Sequence, residues 1–224
     1  MTGHDATLKG TAPMNDKIKS VQDDLAFLRT VAEGSGGGLG VAGGALYGGA
    51  GLIYGLQCVG YYAQVIGLIR MGALGNLVWA WLPTLIFLIM MTVVIVIERK
   101  KPTGGVANRA VNAAFQGTGI ANLALILIFA SAAVRNHDFR YWLFHPAVVF
   151  VIQGAVWYVI FMLRKRLWMA VVAAGWLVSG VALGMLIDRP DLYLLIAGLG
   201  LFAWMMAPGY VMMRQAMRQA ARPA

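Results

Sequence analysis

LIFLIMMTVVIVI, residues 85–97, is the stretch whose chemistry decides the fold. A strand of a membrane barrel would alternate polar and apolar side chains over about ten residues, and this run does not alternate. Lipid offers backbone N–H and C=O groups no partners, so a segment this apolar crosses as a helix. Extended back to Leu77, the run reaches the ~20 residues needed to cross ~30 Å of hydrocarbon. Outward from it lie five more apolar runs. The six predicted spans cover approximately 40–69, 77–97, 111–134, 141–163, 167–187 and 192–213. The predicted fold is all-α: a polytopic membrane protein, a bundle of six transmembrane helices, with a short cytosolic amphipathic helix before it.

Composition agrees. Of 224 residues, 60% are hydrophobic and only 12% charged, against about 25% charged in a soluble domain. The charges gather in short knots between apolar runs. A net charge of +9 would point to nucleic acid in a soluble protein. Here the basic residues flank spans and form no basic domain or motif, so nucleic acid is not an expected partner and orientation in the bilayer explains the charge. Cys58, the single cysteine, lies inside an apolar run and reads as a packing residue. The first apolar run follows the polar residues 1–36, too late for a signal peptide of ordinary form, so the first span is expected to stay in the membrane.

Basic residues outside the spans alternate in density. Lys9, Lys17, Lys19 and Arg29 precede the first span; Arg99, Lys100, Lys101 and Arg109 follow the second; Arg164, Lys165 and Arg166 follow the fourth; Arg214, Arg218 and Arg222 end the chain. The opposite side holds only Arg70, Arg135, Arg140 and Arg189. The richer side faces the cytoplasm, which places both termini there and requires an even number of spans. The short knot at 164–166 makes the fourth and fifth spans antiparallel neighbours. On the outer side, Trp79 and Trp81 precede Pro83, Tyr141 and Trp142 precede Pro146, and Pro190 precedes Tyr193. Aromatics favour the headgroup zone and proline is tolerated in a first helical turn. All three sites open even-numbered spans, as three helical hairpins in series would.

Residues 1–14 read as a disordered N-terminus, with Met14 an alternative start. Within 15–33, Ile18, Val21, Leu25, Leu28 and Ala32 recur at steps of three and four, one face of a helix. Three roles fit it: packing on the protein's own loops, a short two-heptad dimer contact, or a membrane-surface helix. The adjacent Asp23 and Asp24 argue against the last. The stretch DDLAFLRTVAEG, residues 23–34, followed by a small-residue span, resembles the opening of uncharacterised bacterial multi-spanning membrane proteins. That resemblance covers the N-terminal end only. It implies a bacterial inner membrane and brings no activity with it.

Residues 34–55 contain eleven glycines. Gly38, Gly40 and Gly43 match the spacing of a dinucleotide fingerprint, but that motif needs a preceding strand, a following soluble helix and an acid about 20 residues on, and none is present. Helix packing explains the glycines better. Gly44, Gly48, Gly51 and Gly55 fall within about 60° of each other on a helix, a glycine-zipper stripe where another backbone can approach. The first span is therefore expected to be the most buried one. Gln57 and Gln64 lie nearly opposite the stripe, so neighbours are expected on both sides.

No span carries an ionisable residue near its centre, where proton relays and ion sites place one. The candidate polar intramembrane cluster is Gln57, Gln64, Gln116, Asn122 and Gln153, with Ser179 a further mid-span polar group. Buried amides usually join helices; converging on one cavity, they would form an uncharged polar site. His137, Asp138 and His145 share one short outer loop, where interface anchoring fits better than a metal site. Pro208 interrupts the sixth span and predicts a kink, as hinge or static bend. After it comes a basic cytosolic tail, 214–224, suited to anionic headgroups. No catalytic constellation, cofactor site or metal site is found. The expected function is that of a non-enzymatic inner-membrane protein acting through helix packing and a cytosolic contact with a partner or with itself. The alternative is a small passive transporter or channel for a neutral or weakly polar solute, and a membrane enzyme ranks third.

Overall fold

The computed structural model describes residues 40–98 and 106–221, together with Lys19, Gln22, Asp23 and Leu25. Among the described residues there are helices and short connections and no strand. We label the helices α1 (Val41–Val65), α2 (Ala73–Glu98), α3 (Val106–Asn136), α4 (Arg140–Arg164), α5 (Leu167–Met185) and α6 (Pro190–Leu201). A π-helical turn, Phe202–Met206, carries α6 directly into α7 (Ala207–Ala220). Lys19, Gln22, Asp23 and Leu25 are helical; the rest of 15–33, the disordered segment expected at 1–14 and the last three residues lie outside the described residues.

Five helical segments are long and apolar enough to cross a membrane: Ala73–Ile97, Arg109–Asn136, Arg140–Arg164, Leu167–Met185 and Pro190–Gln219. The last runs unbroken through the π turn. The sequence reading counted six. The difference is α1, whose 25 residues would cover about 37 Å but whose seven glycines, four tyrosines and two glutamines interrupt its apolar side chains along the whole length, so that it is not among the five. The predicted bounds also shift. The first helix stops at Val65 rather than continuing to Ile69. The residues read as a tail from Arg214 continue α7 as helix to Ala220.

The packing order runs α2, α1, α6 with α7, α5, α4, α3, each element packed on the next. The α4–α5 pair is the most extensively packed. Lys165 closes α4 in the left-handed conformation (φ 54°) and its N–H reaches Phe161 O at 2.7 Å, so Lys165 and Arg166 alone reverse the chain. Small residues then let the two helices close. A Cβ on Gly180 would stand 2.8 Å from Val151 Cγ2 and 3.1 Å from Ala147 O.

The expectation that the first span is the most buried is corrected. Both α1 and α5 bury six residues, but α1 spreads them over 25 positions and α5 over 19. Glycine lets α1 approach α7 closely without giving it bulk to bury on its other faces, where Leu52, Leu56 and Val59 stay exposed. In α2 and α3 only 6% of the most apolar stretch is buried, against 39% in α5. Leu74, Trp81, Ile89, Ile120, Leu123 and Leu127 are all more than half exposed. Water would not tolerate apolar faces of that extent, whereas lipid requires them. The chain is a multi-pass helical membrane protein.

Candidate functional site

The centre of the bundle is aromatic, and its polar atoms converge on one backbone carbonyl. In an α-helix the N–H of residue 208 would bond to the C=O of residue 204, but Pro208 has no N–H and its ring crowds that carbonyl. The helix responds by widening: Ala207 N–H bonds back five residues to Phe202 O, the π-helical register. Trp204 O is thereby left to outside donors. Trp176 Nε1 of α5 donates to it at 3.0 Å, and Tyr47 OH of α1 approaches it at 3.5 Å, a weak contact. Tyr47 OH in turn accepts from Trp157 Nε1 of α4 at 2.7 Å. The Trp204 indole itself donates to Ser179 Oγ at 3.1 Å. The carbonyl thus joins α5 and, weakly, α1 to the last helix, and Tyr47 links α4 to α1.

The rings around this centre are packed as well as bonded. Trp157, Trp176 and Leu183 are essentially inaccessible. Phe150 and Trp176 meet edge to face at 4.5 Å, and Phe115 of α3 meets Tyr47 at 5.4 Å. Aromatic pairs of this kind contribute ~0.5–1.5 kcal/mol each beyond burial. In lipid, where burial itself drives little helix association, such contacts and hydrogen bonds carry the packing.

The same device recurs at the α1–α2 seam. Pro83 inside α2 leaves Trp79 O without its helical donor. Gln57 of α1 supplies one: its Nε2 lies 3.2 Å from both Trp79 O and Ala80 O. Trp79 Nε1 returns a bond to Gln57 O at 3.3 Å. Trp142 and Pro146 repeat the four-residue spacing in α4, where the Trp142 ring stacks on His145 at 5.0 Å. Thus W-x-x-x-P occurs three times, at 79–83, 142–146 and 204–208. The sequence held this signal, and reasoning from interface aromatics alone missed it.

The five amides of the candidate polar cluster, Gln57, Gln64, Gln116, Asn122 and Gln153, have separate partners and surroundings. Gln57 serves the α1–α2 seam as described. Gln64 Nε2 contacts Met71 Sδ at 3.6 Å. Gln116 is exposed on α3. Asn122 Oδ1 lies 2.9 Å from His145 Nε2 across the α3–α4 seam; the oxygen only accepts, so the ring nitrogen carries the proton. Gln153 Oε1 is buried and finds no donor among the described residues. The cause is the packing order, which seats α1 against α2 and α3 against α4, so amides on these helices face different seams. His137, Asp138 and His145 separate likewise: Asp138 Oδ1 accepts from Arg140 N–H at 2.9 Å while His145 turns to Asn122.

The glycine stripe faces the last helix of the same chain. A Cβ on Gly44 would stand 2.7 Å from Met213 N, one on Gly48 3.3 Å from Met206 O, and one on Gly55 2.7 Å from the Phe202 ring. A Cβ on Gly51 would run into Met206 N. Gly209 seats against the backbone of Gly48, so the residue after Pro208 is where α7 comes closest to α1. Cys58 packs near Gly198.

No protein-family model, curated protein or solved structure matches the chain. What fold and site define is the class: a helical, multi-pass membrane protein whose central aromatic side chains are hydrogen-bonded across helices.

Proposed function

We propose that this protein is a six-span integral protein of the bacterial inner membrane, with both termini in the cytoplasm, that catalyses no reaction. It acts through helix packing and through a cytosolic contact, by residues 15–33, with a partner or with a second copy. The observation that carries this reading is the fate of the central polar groups. Tyr47, Trp157, Trp176 and Trp204 bond across helices, and Gln57 is spent on the α2 backbone. A solute path would need such groups to face a common lumen.

Support for a sixth span comes from the place of α1, wedged between α2 and the last helix. A helix packed along two membrane-length neighbours shares their medium. The ends also pair as six alternating spans require. Arg166, after α4, bonds to Gln215 of α7 at 2.9 Å. Arg140, before α4, pairs with Asp188, after α5, at 3.1 Å. The resemblance carried by residues 23–34 and the alternating density of basic residues support the bacterial inner membrane and the orientation.

Two measurements test the proposal. Proteoliposomes challenged with a urea or glycerol gradient should shrink and recover no faster than protein-free vesicles. Faster solute entry would overturn the reading in favour of a passive transporter. A fluorescent reporter fused after Ala224 should mature in the cytoplasm, and alkaline phosphatase at the same point should stay inactive; the reverse pair of results would refute the orientation.

A further inference from the structure

At the end of the bundle where α4 turns into α5, a surface groove of about 270 Å³ is lined by Arg166, Gln215, Arg218 and Gln219. We propose that this groove is a binding site for the phosphate of an anionic phospholipid headgroup. It joins the α4–α5 turn to the last helix, so that a bound lipid would tie the closing turns of the bundle together.

Four observations converge. First, both cations of the groove are arginines, whose planar guanidinium forks match phosphate oxygens. Arg166 is already positioned, since its Nη1 donates to Gln215 Oε1 at 2.9 Å. That bond uses the acceptor of the Gln215 amide and leaves its NH₂ hydrogens as donors.

Second, Arg166 is the N-cap of α5. No side chain caps that end and no acidic residue stands in its first turn. Of the opening N–H groups, that of Met169 bonds to Arg166 O at 2.9 Å; the first groups of a helix carry partial positive charge that favours phosphate. Third, no described carboxylate pairs with Arg166 or Arg218. Arg140 pairs with Asp188 and Arg189 with Asp191 at the other end of α4 and α5. Fourth, Leu167, next to Arg166, is 78% exposed, and Leu163 and Met162 at the end of α4 are exposed beside it. A phosphate in the groove would therefore have apolar surface adjacent for its acyl chains, as a free anion would not need.

The site goes beyond the proposed function and leans on it only for which leaflet supplies the lipid. The test is made in detergent, where leaflet and orientation play no part. The full chain, delipidated in maltoside micelles, is titrated with phosphatidylglycerol, with phosphatidylcholine and with inorganic phosphate, and bound lipid is read by native mass spectrometry.

Phosphatidylglycerol should bind in preference to phosphatidylcholine. Arg218→Gln and Arg166→Gln should each weaken that binding about fivefold, the worth of one arginine near an anionic headgroup. Arg214→Gln removes the same charge from the same helix, but Arg214 lies over the Tyr210 ring and does not line the groove; it should leave the affinity within about twofold. Should Arg218→Gln fail to fold, Arg166→Gln on the other element carries the comparison. Equal losses at positions 214 and 218 would mean diffuse attraction and overturn the site. Displacement of the lipid by inorganic phosphate at cellular concentration would overturn the lipid assignment in favour of a free anion. Equal binding of the two lipids would overturn both.

Discussion

Replacing Gly51 with alanine adds one methyl group where α1 lies against the π turn of the last helix. The new Cβ would run into Met206 N, with Leu201 O and Met205 Cβ each at 2.9 Å. Two of these three atoms are backbone and have no rotamer through which to yield, so the helices must separate. Overfilled cores lose ~1–3 kcal/mol, and an obstruction made of backbone places Gly51→Ala near the upper end, about 3 kcal/mol. Neighbouring glycines calibrate the claim. A Cβ on Gly49 would stand 2.7 Å from Met90 Sδ, but that sulfur is near the end of a flexible side chain; the cost should stay below about 1 kcal/mol. Gly48 has its nearest obstruction at 3.3 Å, which places its alanine variant near the lower end of the same range, at about 1 kcal/mol. Gly117 and Gly119 in α3 have nothing within 4 Å, and alanine there should stabilise by ~0.5–1 kcal/mol through helix propensity. Unfolding by sodium dodecyl sulfate in mixed micelles, followed by tryptophan fluorescence, would rank the series. The argument is refuted if Gly51→Ala is as stable as Gly49→Ala, or if Gly117→Ala is the more damaging.

Gln57→Leu should cost about 1 kcal/mol by removing the donor to Trp79 O and Ala80 O. In a Pro83→Ala background the cost should shrink, because the restored helix N–H then serves Trp79 O; a double-mutant cycle with no coupling would contradict this. Trp176→Phe removes the donor to Trp204 O and also part of a fully buried indole, so the loss should exceed that at Gln57, and Pro208→Ala should rescue only the hydrogen-bond share. Gln153→Leu should move the other way, neutral or stabilising by up to ~1–2 kcal/mol, since it removes a buried acceptor that lacks a donor. A clear loss of stability in that variant would show that Gln153 Oε1 has a partner in the membrane.

Length and apolarity made five of the membrane-crossing helices legible in the sequence. The stretch 85–97 needs no tertiary context to be a helix in lipid. The two-residue reversal at Lys165 and Arg166 and the close face of α1 were legible for a related reason, because chain length and absent side chains act locally. The amides were not. Whether Gln57 meets Asn122 or Trp79 depends on which helices are neighbours, and no residue of α1 announces that α2 flanks it while α3 packs on α4. The tryptophan–proline spacing was missed for another reason. At the membrane interface the indole N–H finds water or headgroups, so Trp79 and Trp142 were read as interface aromatics and their common distance to a proline went unread. Trp204 lies in the middle of its span, and there the carbonyl freed by Pro208 accepts from the Trp176 indole.

That acceptor also decides between the two meanings of Pro208. A hinge requires the freed carbonyl to exchange donors at little cost as the helix bends. Trp204 O is held by Trp176 Nε1 from α5, with Tyr47 OH beside it, and the Trp204 ring is fixed at its other edge by Ser179 Oγ. Gly209, the next residue after the proline, is backed against Gly48. Bending at the π turn would strip these hydrogen bonds, strand polar atoms in a medium without water at several kcal/mol for each unsatisfied backbone group, and drive α7 backbone into α1. Motion at Pro208 is therefore opposed from two sides. The proline works as a fixed offset that turns a backbone carbonyl into an acceptor for α5 and α1.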